Sequence, residues 1–142
     1  MHLQVLYCDD IREEIGNKFS LMGVYASDML ISELPSTISK LCVAVRLVVP
    51  IKSKLSSAVM LEVIKDQKSK NTPEALATSQ ITAKQLEQAF TQTPAGGDYL
   101  LQANFMIGPL TFDQECAVRV RALVGKQVLE GASLQIRQYP VS

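Results

Sequence analysis

The chain has 142 residues, 47% of them hydrophobic and 20% charged, with 14 basic residues balancing 14 acidic ones. That is enough apolar chain to bury a core in a single domain spanning residues 1–142, and too much for a disordered polymer. Zero net charge removes any overall pull toward nucleic acid or an anionic membrane, and no apolar run approaches the ~20 residues of a membrane helix. No leader-like pattern of basic, apolar and small residues opens the sequence. Cys8, Cys42 and Cys116 form no Cys-x-x-Cys pair, so buried reduced thiols in a cytoplasmic protein are expected.

Alternation of apolar and polar residues dominates. Leu3, Val5 and Tyr7 open a strand whose apolar side falls on odd positions. Residues 9–14 either continue that strand or make one helical turn, with Asp10 and Glu13 as a capping box. Gly16-Asn17 favours the strand. It stands where a two-residue hairpin turn would, before Phe19, Leu21, Gly23 and Tyr25 at period two. On this reading Phe19, Leu21 and Tyr25 fasten the hairpin to the core, and the acids form its exposed tip.

Leu34-Pro35-Ser36 is a break. Leu41, Val43, Val45, Leu47 and Val49 then alternate strictly, with Cys42, Ala44, Arg46 and Val48 on the other side. A strand over residues 57–63 enters a polar hairpin loop at 66–71 and returns over 75–82. Residues 82–90 read as one short helix, with Thr82 and Gln85 as a capping box. A flexible loop follows at 93–98, then a strand over 99–107 that Gly108-Pro109 stops.

The last hairpin has the clearest register. A three-residue connection, Gly125-Lys126-Gln127, sets Val124 opposite Val128, Val118 opposite Leu134 and Cys116 opposite Ile136. A two-residue turn would move Val118 onto Ser133 and break the shared apolar face. The fold class is therefore all-β. It is expected to be a two-sheet antiparallel sandwich of the Ig-like or Greek-key type, with about seven or eight strands and one short helix near 82–90.

Enzymatic chemistry has little to stand on. His2 is the only histidine, and no Walker loop, Gly-x-Gly-x-x-Gly or Gly-x-Ser-x-Gly is present. Asp9, Asp10, Glu13 and Glu14 could hold a hard cation or supply an acid–base pair, but Arg12 sits among them and no second ligand group is spaced for it. They read better as a charged interaction surface, with no metal and no cofactor. Cys8 is a poor nucleophile because the neighbouring acids raise its pKa.

Arg46, Arg119, Arg121 and Arg137 all lie inside strands, opposite the apolar series. If the central strand pairs with the last hairpin, the four share one outer sheet face. There they could grip carboxylates or phosphates of a small anion or nucleotide, or simply give the strands a solvated side. Aromatic residues do not interleave with them, which argues against nucleic acid.

The phrase Cys8-Asp9-Asp10-Ile11-Arg12-Glu13-Glu14, with Gly16-Asn17-Lys18-Phe19-Ser20-Leu21-Met22-Gly23-Val24-Tyr25 after it, resembles an uncharacterised family of small bacterial and phage proteins. The apolar strand after Leu34-Pro35 and the late Pro109-Leu110-Thr111-Phe112 match the same family's pattern. The resemblance implies a β-sandwich and carries no activity and no site residues. The chain is therefore expected to be a non-enzymatic interaction module of a bacterial or phage accessory system, contacting a protein partner or itself as a homo-oligomer. Edge strands and the half-apolar outer residues Ala44, Val48, Leu123 and Leu129 would supply the surface.

Overall fold

The computed structural model describes residues 1–53, 55, 57–92 and 97–140. Along them run β1 (His2–Glu14), β2 (Lys18–Val24), β3 (Asp28–Ile31), β4 (Ser36–Ile38), β5 (Leu41–Val49), β6 (Val59–Asp66) and β7 (Glu74–Ile81). After the helix α1 (Ala83–Gln92) come β8 (Tyr99–Ile107), β9 (Leu110–Phe112), β10 (Cys116–Val124), β11 (Gln127–Glu130) and β12 (Leu134–Gln138). The fold is all-β and sandwich-like. It has twelve strands among the described residues, more than the seven or eight expected, because several are only three to five residues long.

One sheet has the order β2-β1-β5-β8 and the other β3-β12-β10-β6-β7, with β11 also on β10; β4 and β9 make a small ribbon of their own. Every pairing is antiparallel except β12 beside β3. β5 is paired on both edges, and its inward residues Leu41, Val43, Val45, Leu47 and Val49 are fully buried. Such a near-continuous apolar run is what a central strand requires. Those residues join Leu61 and Val63 of β6 and Val118, Val120 and Ala122 of β10 in one hydrophobic cluster between the sheets.

Tyr7 ties the two sheets. From β1 its hydroxyl donates to the Ala132 carbonyl at 2.7 Å, with the Val118 carbonyl a second acceptor at 3.2 Å. Burial pushes the phenol well above its ordinary pKa, so it stays a donor.

The last hairpin corrects its expected turn. Val124 stands opposite Gln127 and Leu123 opposite Val128, so the connection is the two residues Gly125-Lys126. Gly125 has φ 59°, the positive value that a type II′ turn demands at its first central position. Yet Val118 still faces Leu134 and Cys116 still faces Ile136. One extra residue among 131–133 restores the register, and the shared apolar face survives as period two requires. Gly131 lies there because a Cβ would strike the Val5 side chain on β1. The irregular segment also provides the Ala132 carbonyl that Tyr7 uses.

β6 and β7 pair around the polar loop, with a bulge between Val63 and Ile64. Helix α1 begins at the expected capping box: Thr82 Oγ1 accepts from the Gln85 N–H at 3.2 Å, and Gln85 Oε1 accepts from the Thr82 N–H at 2.9 Å. Leu86 fills the core, and Phe90 meets Tyr99 edge-on at 5.6 Å. Residues 93–96 of the loop expected at 93–98 lie outside the described residues.

Candidate functional site

Residues 9–14 are strand. β1 divides its length between two neighbours, pairing through His2–Cys8 with β5 and from Cys8 onward with β2. Beyond Cys8 the β1–β2 pair continues as a two-stranded arm, closed by the three residues Ile15, Gly16 and Asn17 and not by a two-residue turn. A helical turn would have put Asp10 and Glu14 on one face to share a cation; extended backbone instead sets them about 13 Å apart. Among the described residues no three histidine, cysteine, aspartate or glutamate side chains gather as a metal site would need.

Each of three acids has its own partner. The Tyr25 hydroxyl donates to Asp9 at 2.6 Å, Lys40 donates to Asp10 at 2.7 Å with Arg12 at 3.6 Å, and the Ser20 hydroxyl donates to Glu14 at 2.9 Å. The Lys40 hydrogen bond holds the Asp10 carboxyl below its ordinary pKa, while burial and Asp9 raise the Tyr25 phenol to about 12. Asp9 and Asp10 thus brace the root of the arm, and only Glu13 and Glu14 lie near its tip. Phe19 and Leu21 do not fasten the arm to the core, since neither joins the buried cluster; Tyr25 alone does. The arm has left the space between the sheets by that point.

The four arginines do not share a face. β5 pairs with β1 and β8, which leaves it no free edge for β10, so Arg46 lies on one sheet and Arg119, Arg121 and Arg137 on the other. Arg119 pairs with Asp66 of β6 and, at 2.5 Å, with Glu130 of β11. Arg121 stands opposite Glu62 and binds it at 2.5 Å; its neighbour on the hairpin is Glu130. Arg137 lies 3.6 Å from Asp28. These guanidiniums are occupied.

Arg46 is different. Among the described residues it is the one arginine without a carboxylate within 4.0 Å. Strand pairing lays Gln4, Arg46 and Gln102 in one row across β1, β5 and β8, and Leu6, Ala44 and Asn104 in the next. Arg46 Nε donates to Gln102 Oε1 at 3.2 Å, and Gln102 Nε2 donates to Asn104 Oδ1 at 2.8 Å. The arm folds over these rows, and Asn17, Lys18, Phe19 and Leu21 line the other side of a cavity of about 380 Å³. No acid lines it. Glu14 is the cross-strand partner of Lys18, but its carboxylate is engaged by Ser20.

The sequence marks Arg46 as a candidate but not Lys18, Phe19, Gln102 and Asn104 as its companions. Gln102 and Asn104 do alternate with Leu101 and Ala103, which marks them as outward-facing. The pairing of β8 with β5, which sets them beside Arg46, leaves no trace in either strand alone.

A second, more open cavity of about 880 Å³ lies near the β6–β7 loop, between Asp66, Lys68, Glu115 and Arg137. Both charge signs line it, and Gln67 Nε2 is the buried side-chain nitrogen left without a partner there. The three cysteines are free and buried, and burial raises all three thiols above their ordinary pKa. Cys8 stands directly opposite Cys42 on β5. Among the described residues no helix is long and apolar enough to cross a membrane. No protein-family model matches the chain, and no curated protein matches it.

Proposed function

We propose that the protein is a non-enzymatic interaction module, acting through protein–protein contacts made by the β1–β2 arm, self-association among them. The observation that carries this reading is what the arm exposes. Ile15 is 97% exposed at the tip, Met22 and Val24 are 45% and 49% exposed along β2, and β2 is an edge strand. An edge with open N–H and C=O groups beside apolar side chains suits strand addition from a second chain. Of the outer residues expected to supply a surface, Val48 is buried and Ala44, Leu123 and Leu129 are half-buried, so the arm takes their place. An accessory role fits the resemblance to bacterial and phage proteins, and three free, buried thiols fit a cytoplasmic setting.

Light scattering over a wide concentration range tests the reading, together with cross-linking to partners in a bacterial host. Wild type should associate with itself or with a discrete partner, and the double variant Ile15→Lys, Met22→Lys should lose that association while melting normally. A chain that stays monomeric and partnerless, or a double variant that associates like wild type, would overturn the arm as the docking element.

A further inference from the structure

We propose that the cavity beneath the arm is a binding site for a small organic anion, with an apolar or aromatic body and one carboxylate or phosphate group. The site goes beyond the partner reading and does not depend on it, because the arm's exposed residues Ile15, Met22 and Val24 lie outside its lining.

Charge is the first argument. Arg46 and Lys18 both line the cavity, neither has a carboxylate within 4.0 Å among the described residues, and the lining contains no acid. On the opposite sheet the arginines of β10 and β12 are all neutralised by carboxylates. An uncompensated pair of cations in one concavity attracts an anion, and walls of protein strengthen that attraction over its value in open water.

Preorganisation is the second. Arg46 spends its Nε on Gln102, which is fixed in turn by Asn104. The terminal nitrogens of the guanidinium keep their N–H groups for a ligand, held in the planar fork that matches a carboxylate or a phosphate. Gln102 and Asn104 are positioning residues here: they orient the fork through a hydrogen-bond chain.

Shape and polarity are the third. About 380 Å³ falls within the range of small-molecule sites. Leu6 and Ala44 on the floor, with Phe19 and Leu21 on the arm, give an apolar wall with one aromatic residue in it. A bare inorganic ion would leave that wall unused, so the body of the ligand is apolar.

Calorimetry at low salt tests this with adenosine 5′-monophosphate and benzoate as anions and adenosine and benzamide as their neutral counterparts. At least one anion should bind, its neutral counterpart should not, and added salt should weaken binding. Binding by the nucleotide alone identifies a phosphate site, and by benzoate alone a carboxylate site. Arg46→Met should weaken binding roughly tenfold or more, the loss of a charge-assisted pair, while Arg119→Met leaves it unchanged. Melting curves of both variants confirm that they fold. The proposal is overturned if neither anion binds, if the neutral compounds bind equally well, or if Arg46→Met binds like wild type.

Discussion

Two outer sheet faces carry arginines at the same kind of position, mid-strand and opposite a buried apolar series, and they end in opposite states. On the larger sheet, β6 and β11 flank β10 and bring Glu62, Asp66 and Glu130 against Arg119 and Arg121. On the smaller sheet, β1 and β8 flank β5 and bring Gln4 and Gln102 against Arg46. The arginines are alike; their cross-strand neighbours decide whether each is a structural ion pair or an open charge. The same contrast holds for the two hairpins. The last one is pinned by Tyr7 and by the close approach of Gly131 to Val5, while the first leaves the sandwich and overhangs its own sheet.

The pinned side should be costly to disturb. Tyr7→Phe removes the hydroxyl and leaves the Ala132 and Val118 carbonyls unserved, so urea denaturation should show a loss of about 1–3 kcal/mol. The same variant should flatten the alkaline limb of stability. The phenol is raised in the folded state, so its contribution is full below the ordinary tyrosine pKa and fades as pH climbs above about 10.

Glu62→Ala comes next, at about 1 kcal/mol, since it strands a half-buried Arg121 whose partner is itself 18% exposed. If the contrast between faces is one of neighbours alone, this variant should also confer a weak, salt-sensitive response to anions that wild-type Arg121 lacks.

Smaller again is the acid limb. Asp10 is depressed by Lys40, so the pair stabilises above the ordinary carboxylate pKa of about 4 and is lost as pH falls through the lower folded value. Denaturation series in mild acid should show a shallower decline for Asp10→Asn than for wild type. Smallest is Ile15→Ser at the fully exposed tip, expected within about 0.5 kcal/mol of wild type by thermal melt.

Much of this architecture was legible in the sequence, because side-chain period two is a local signal. The strands at 41–49, 99–107 and 116–124, the apolar pairing of Val118 with Leu134, and the Thr82–Gln85 cap all follow from neighbours along the chain. What was not legible depends on which strand lies beside which. Arg46 shares no face with Arg119, Arg121 and Arg137 because β5 pairs with β8 and not with β10, and nothing within β5 itself specifies that partner. Likewise the buried face alone implies a three-residue turn at Gly125, whereas an extra residue at 131–133 satisfies both a two-residue turn and that face. Phe19 and Leu21 alternate as core residues do, and nothing local says that β5 stops pairing at Cys8.

If the arm of the smaller sheet is the docking element, association must depend on it and not on the last hairpin of the larger sheet, whose arginines are paired. Light scattering and partner cross-linking on three proteins test that most directly: wild type, the Ile15→Lys, Met22→Lys arm variant, and Val128→Lys, an apolar position on the last hairpin about as exposed as Met22. Association should vanish in the arm variant and persist in Val128→Lys. Association that persists in the arm variant and vanishes in Val128→Lys would contradict the account.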